Sequence, residues 1–286
     1  MATMAMRGQV EYLQLFQSPP PHQEVSEFTL TKVAVRPRSY AMDICEYKIM
    51  SGVRHPWEMS RALALRRILL DAGLLNNQSR VLDIGCGDGY TINEVCRHRP
   101  VHIDAVDSSL TVELTSRFSE QYQNIRFHNS SAALSAQYDL ITAFDVIEHN
   151  ADGLDFLKSI TKLGKPRANI LITAPAFQGL FSQHDKMLKH YRRYNLADLT
   201  AVAQEAGLEI QQSGYLFSSL LIWRYLAQTC RLPQSNKGLT TWRYGTTLTK
   251  AVLTCLNLDN KILRQAHKIG INLPGLSVWL LCKKQP

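Results

Sequence analysis

Apolar positions along this chain follow two periods, and their alternation predicts the fold. Val81–Ile84 is a short apolar run interrupted by one acid, Asp83. Val101–Val106, Ile125–His128, Tyr138–Phe144, Asn169–Ala174 and Leu208–Tyr215 read as further strands. Between them, Thr91–Arg97, Leu110–Tyr122, Gly153–Leu163 and Ala197–Ala206 carry helical spacing. Pro175 stops one strand, and Gly207 ends the last of these helices. An earlier helix is predicted to begin around His55-Pro56-Trp57-Glu58, because proline is favoured in a first turn. Its residues Leu63, Leu65, Ile68, Leu69 and Leu70 gather toward one side, and Gly73 closes it. Strands alternating with helices predict an α/β fold: a doubly wound, mostly parallel sheet covered on both faces.

A seventh strand is expected at Leu276–Cys282, after an insertion of about 60 residues that contains LFSSLLIWRYLAQTC and two more helix-like stretches. The chain therefore divides into an amino-terminal arm or partial cap (1–54), a core (55–215), a helical basic insertion (216–273) and the returning last strand (274–286). The arm lacks periodicity and contains Ser18-Pro-Pro-Pro-His22.

The net charge of +8 is uneven. From Leu216 onward there are ten Lys and Arg against one acid, Asp259, giving +9 and leaving −1 for the rest. A basic carboxy-terminal part suggests an anionic partner or surface; a solvated face is the plainer alternative. No recognition helix or RNA-binding sheet motif accompanies the charge, so no nucleic-acid partner is expected. The six cysteines show no CxxC or zinc spacing and read as reduced thiols of a cytoplasmic protein. No secretory signal and no spanning apolar run is read in the sequence.

The most informative stretch is Val81-Leu-Asp-Ile-Gly-Cys-Gly-Asp-Gly-Tyr90. A strand running into glycines 85, 87 and 89 brings bare backbone against a ligand, since glycine tolerates positive φ and carries no Cβ. A dinucleotide fingerprint would place its third glycine three positions after the second; here the interval is two.

On this motif the chain resembles the class I S-adenosylmethionine-dependent methyltransferases. The resemblance covers roughly residues 55–215 and the last strand. It implies S-adenosylmethionine as cofactor, with the methionine end over Gly85, Cys86, Gly87 and Gly89 and oriented by Asp83. Asp107, ending the second strand, would grip the ribose hydroxyls, with Ser108 beside it. Many relatives have an acid near the adenine after the third strand. Here the segment is His128-Asn129-Ser130-Ser131, so Ser130, Ser131 or a backbone amide would serve. Phe144-Asp-Val-Ile-Glu-His149 resembles the subgroup that includes the O-methyltransferases of ubiquinone synthesis, with Asp145 beside the methionine end.

On the acceptor side, His149 is one candidate general base; packing against the next helix is its other reading. Asp145, Glu148 and His149 at i, i+3, i+4 would share one helical turn and could face a metal. No metal is expected, because no further ligand is evidently recruited. Ala174–Asn195 is a long polar and aromatic loop that resembles a branch with Ser-x-His-Asp followed by His-x-Arg-Arg-Tyr. His184, beside Asp185, is the second base candidate. Tyr191, Arg192 and Arg193 would hold an anionic acceptor, or Arg192 and Arg193 would clamp a helix end. The insertion would cap the acceptor pocket, form a dimer surface, or face a membrane.

The expected activity is methyl transfer to a small-molecule, sugar-linked or lipid-linked acceptor, at oxygen in preference to nitrogen or carbon. A dehydrogenase and a non-catalytic methyltransferase-like binding protein are the alternatives.

Overall fold

The computed structural model describes residues 54–75, 79–134, 137–230, 242 and 244–286. The expected arm, residues 1–53, lies outside them.

Seven strands form one mixed sheet in the order β3-β2-β1-β4-β5-β7-β6. They are β1 (Arg80–Ile84), β2 (His102–Val106), β3 (Ile125–His128), β4 (Tyr138–Phe144), β5 (Gly164–Pro175), β6 (Leu208–Leu216) and β7 (Ser277–Lys284). β1 pairs in parallel with β2 (Val81 opposite Ile103) and with β4 (Val81 opposite Leu140). Only β7 runs against its neighbours, filling the gap between β5 and β6. The chain moves outward from β1 to β3, then returns to β4 on the other side of β1. That reversal opens a crevice at the carboxyl ends of β1 and β4, where α/β sheets bind ligands.

The helices are α1 (Pro56–Asp71), α2 (Tyr90–Val95), α3 (Val112–Gln121), α4 (Gly153–Thr161), α5 (Gln183–Met187), α6 (Leu196–Glu205), α7 (Ser218–Thr229) and α8 (Thr246–Lys268). Alternate strand residues feed the two faces of the sheet. Val81, Ile103, Leu140 and Leu281 pack with Leu65 and Leu69 of α1, Ile92 of α2 and Phe118 of α3. Leu82, Ile141, Ile170 and Leu280 pack with Phe156 and Leu157 of α4 and Leu199 of α6.

α1 begins as its sequence dictates. Pro56 takes the first position, and His55 Nδ1 accepts from the Trp57 amide at 3.1 Å. The predicted turn of helix through Asp145–His149 does not form as such. Asp145 sits at φ 56°, in the left-handed region, and only Ile147–His149 makes a single 3-10 turn.

The insertion is tied into the core. Asn260 of α8 accepts from the Phe217 amide at 3.1 Å and donates to Ser60 Oγ of α1 at 3.2 Å, in a buried junction. Arg264 of α8 pairs with Asp71 of α1 at 2.9 Å. No helix among the described residues is long and apolar enough to cross a membrane.

Candidate active site

The glycine turn is built for close approach. Gly85, Gly87 and Gly89 all have positive φ, at 71°, 55° and 79°. A Cβ on Gly85 would lie 2.5 Å from Val146 Cγ2, and one on Gly89 would lie 2.6 Å from Phe127 Cζ. Any side chain here would be both strained and obstructed. α2 has only six residues, so the cradle rests on the turn itself more than on a helix dipole. Cys86 is buried, its thiol pushed well up by burial, and it packs in the core.

Asp107 follows β2 and reaches back to the turn. Its Oδ2 accepts from the Gly87 amide at 3.1 Å; its Oδ1 accepts from Ser109 N at 2.9 Å and Ser109 Oγ at 2.5 Å. Burial raises its carboxyl above the ordinary range, against those hydrogen bonds. The hydroxyl that locks Asp107 belongs to Ser109. Asp83 is also buried, opposite Thr142 of β4, whose hydroxyl donates to it at 2.6 Å. Burial lifts its carboxyl to about 7. Ser130 caps the short turn at Ser131–Ala133 through the Ala132 amide, and neither serine lines the cavity described next.

A cavity of about 540 Å³ opens from Gly85 and Asp107. It continues past Asp145 and Glu148 to His149, His184 and His190, beneath Trp223 and Arg224 of α7 and Val252 and Leu256 of α8. Trp57, Phe144 and Trp242 add aromatic wall. Of the three expected roles for the insertion, these contacts support the cap. A second cavity, about 690 Å³, lies between α1 and α8 and contains none of the glycine-turn residues or these histidines. The chemistry belongs to the smaller one.

Asp145 pairs with Arg61 of α1 at 2.5 Å and accepts from Thr173 Oγ1 at 2.8 Å. Arg61 was not singled out by the sequence, yet it lies at the cofactor end of the cavity with a buried Nε that has no hydrogen-bond partner among the described residues. Arg54 likewise links Glu58, at 3.2 Å, and Asp88 of the glycine turn, and stacks over Tyr90 at 4.2 Å.

Glu148 is fully buried, and neither carboxyl oxygen has a hydrogen-bond partner among the described residues. Burial, then the neighbouring Asp145, hold its carboxyl well above the ordinary range. His149 meets His190 edge to face at 4.7 Å. Burial, then His190, push the His149 imidazole down to about 4. Burial lowers His184 too. Both imidazoles are thus held in the neutral, proton-accepting form at neutral pH.

The helical turn that would let Asp145, Glu148 and His149 face a metal together does not form. Asp145 is committed to Arg61; the long loop instead delivers His190, and ligand atoms of Glu148, His149 and His190 lie within 4.8 Å of one another. The loop thus adds a third potential ligand, which the sequence reading did not attach to this cluster.

The rest of the loop departs from its expected roles. Asp185 is fully buried and does not line the cavity. Arg193 grips it through Nε at 2.8 Å and a terminal nitrogen at 3.1 Å; His190 Nδ1 meets it at 3.0 Å, and the Ser182 amide donates at 2.8 Å. Burial alone would raise this carboxyl, but those bonds and the Arg193 charge hold it well below the usual range. Asp185 is a loop anchor; Arg193 is its counter-ion and also lines the cavity. Arg192 donates to the Ala151 carbonyl at 2.7 Å, and Tyr191 is exposed; neither lines the cavity.

Strand order, glycine turn and the carboxylate after β2 together define a class I S-adenosylmethionine-dependent methyltransferase. A methyltransferase-domain family model matches residues 57–213, more than half of the chain, and the chain belongs to that family. It is 25% identical over 176 residues to the ubiquinone biosynthesis O-methyltransferase of Pseudoalteromonas translucida, covering 55% of this chain and 74% of that one. With the corresponding Aeromonas salmonicida enzyme it shares 28% over 101 residues, covering 33% of this chain and only 42% of the relative. Among solved structures, the [4+2]-cyclase SpnF superposes with a TM-score of 0.50 at 17% identity, covering 77% of this chain and 80% of its own. The last likeness concerns the fold alone. S-adenosylmethionine fits the residues present: Gly85, Asp107 and Arg61 line the same cavity, and the buried Nε of Arg61 is a donor without a hydrogen-bond partner among the described residues.

Proposed function

We propose that the protein methylates a hydroxyl group of a small-molecule acceptor seated in the 540 Å³ cavity. One observation carries this reading: the glycine turn and Asp107 share that cavity with two neutral-poised imidazoles. When bound, S-adenosylmethionine supplies a methyl group on a sulfonium leaving group. Asp107 accepts from its ribose hydroxyls, and Gly85 and Gly87 let its amino-acid end approach the backbone. Arg61, fixed by Asp145 and lying over Trp57 at 5.0 Å, is placed to receive the carboxylate of that end.

On the acceptor side, His149 or His184 takes the hydroxyl proton as the oxygen attacks. The enclosing tryptophans favour an acceptor with an aromatic or other flat apolar part. The O-methyltransferase relatives support oxygen as the acceptor atom. The exposed Ile222, Tyr225 and Leu226 of α7 favour an acceptor joined to a lipid over one joined to a sugar. A screen of phenols, sugars and lipid-linked hydroxyl compounds, read by S-adenosylhomocysteine release and product mass, tests the proposal. Turnover only with amines would overturn it.

The Glu148, His149 and His190 cluster favours a second reading, in which a divalent ion polarises the acceptor hydroxyl. Loss of activity in a chelator, restored by added metal, would select it.

A further inference from the structure

Three arginines line the cavity, and among the described residues the one without a carboxylate partner belongs to the insertion. Asp145 is matched by Arg61, Glu58 by Arg54, and Asp185 by Arg193. Glu148 is enclosed in an environment that favours its neutral acid form. Arg224 of α7 also lines the cavity, and among the described residues no carboxylate lies within ion-pairing distance of it. Its one hydrogen bond among the described residues, from a terminal nitrogen to Ser182 Oγ at 2.7 Å, leaves most of the guanidinium fork open toward them. Ser182 in turn is fixed by Asp185, to which its hydroxyl donates at 3.1 Å. His184, two residues on, lines the same wall.

A partly buried guanidinium without a counter-ion is costly unless an anion completes it. The fork is a planar, bidentate match for carboxylate or phosphate oxygens. Arg224 also lies beyond residues 57–213, the part shared with the methyltransferase-domain family. A feature that selects this chain's own acceptor is expected in such a segment.

We propose that Arg224, buttressed by Ser182 and flanked by His184, is an oxyanion subsite, and that the methyl acceptor carries a phosphate or carboxylate group held there. This rests on the methyltransferase reading, and it moves the anion-holding role from Arg192 and Arg193 to α7. Arg224 is a specificity residue: it holds a part of the acceptor remote from the reacting oxygen.

The test uses the full chain saturated with S-adenosylhomocysteine. Inorganic phosphate and benzoate are titrated in separate calorimetric runs into wild type, Arg224→Gln, Arg224→Lys and the surface control Lys158→Gln, an exposed residue of α4 that lines neither cavity. Saturable binding of at least one anion is expected, weakened on the order of 10- to 100-fold in Arg224→Gln, the scale of charge-assisted hydrogen bonds. Arg224→Lys keeps the charge but loses the fork, so it should fall between. Lys158→Gln should match wild type. Preference for phosphate or for benzoate identifies which group the acceptor bears. S-adenosylhomocysteine affinity, measured first, should be equal in all four proteins. Loss of that affinity from wild type would sink the methyltransferase reading. Intact cofactor binding with neither anion bound, or with anion binding indifferent to Arg224, would overturn the subsite alone.

Discussion

Arg61 and Asp145, 84 residues apart, meet at 2.5 Å where α1 crosses the carboxyl end of β4. The pair fixes a guanidinium that lines the cavity with Gly85 and Asp107, and Asp145 itself sits at a left-handed φ. Arg61→Ala is expected to weaken S-adenosylhomocysteine binding by tenfold or more, and Asp145→Asn by a smaller factor. The double variant should be little worse than Arg61→Ala, because contacting partners are not additive. Calorimetry on the four proteins checks this; fully additive losses would mean that the two act separately.

Asp107→Ala should cost about 2–3 kcal/mol of cofactor affinity, the scale of two charge-assisted hydrogen bonds to ribose. Unchanged affinity in equilibrium dialysis would remove Asp107 from the cofactor site.

Gly85→Ala places a methyl group 2.5 Å from Val146 Cγ2 at a φ of 71°. We expect cofactor binding to fall steeply. Adding Val146→Ala should recover part of the loss by relieving the clash, while the φ strain persists. Full recovery would show that contact alone matters.

Asp185 and His184, adjacent in sequence, should separate in experiment. Asp185→Asn strips a buried arginine of its counter-ion and should destabilise the fold by about 3–5 kcal/mol. His184→Ala should leave the denaturation midpoint nearly unchanged. It should lower turnover ~10²-fold if His184 is the base. Equal stability losses in urea would refute this division.

Asp83 gives a pH signature. Its folded-state pKa of about 7 lies above the ordinary 3.8, so the folded chain keeps a proton that the unfolded chain has released. Stability attached to this group is full below about pH 4, falls as pH rises toward 7, and is level above. Relative to Asp83→Asn, the cofactor-free wild type should lose up to about 4 kcal/mol across that window. Parallel stability curves for the two proteins would count against a buried, protonated Asp83.

The cofactor half was legible because its signals are contiguous: a strand, three glycines and one carboxylate after the next strand. The acceptor half was legible only as a list of residue types. Asp185 looked like a partner for His184, but the fold turns it inward to Arg193, a pairing that no periodicity marks. His190 reaches Glu148 and His149 only because a long loop folds back. Asp145 read as part of a helical turn, yet its left-handed φ breaks the i, i+4 geometry. Arg61 carried no signal, since its partner is far along the chain.

The buried amide of Asn260 stitches α8 to both Phe217 and Ser60. α7 and α8 thus form one late cassette, fastened to the donor-binding body at a buried joint and, beside it, by Arg264 and Asp71. Grafting that cassette between relatives, joint included, should transplant acceptor preference while the methyl donor's berth stays untouched.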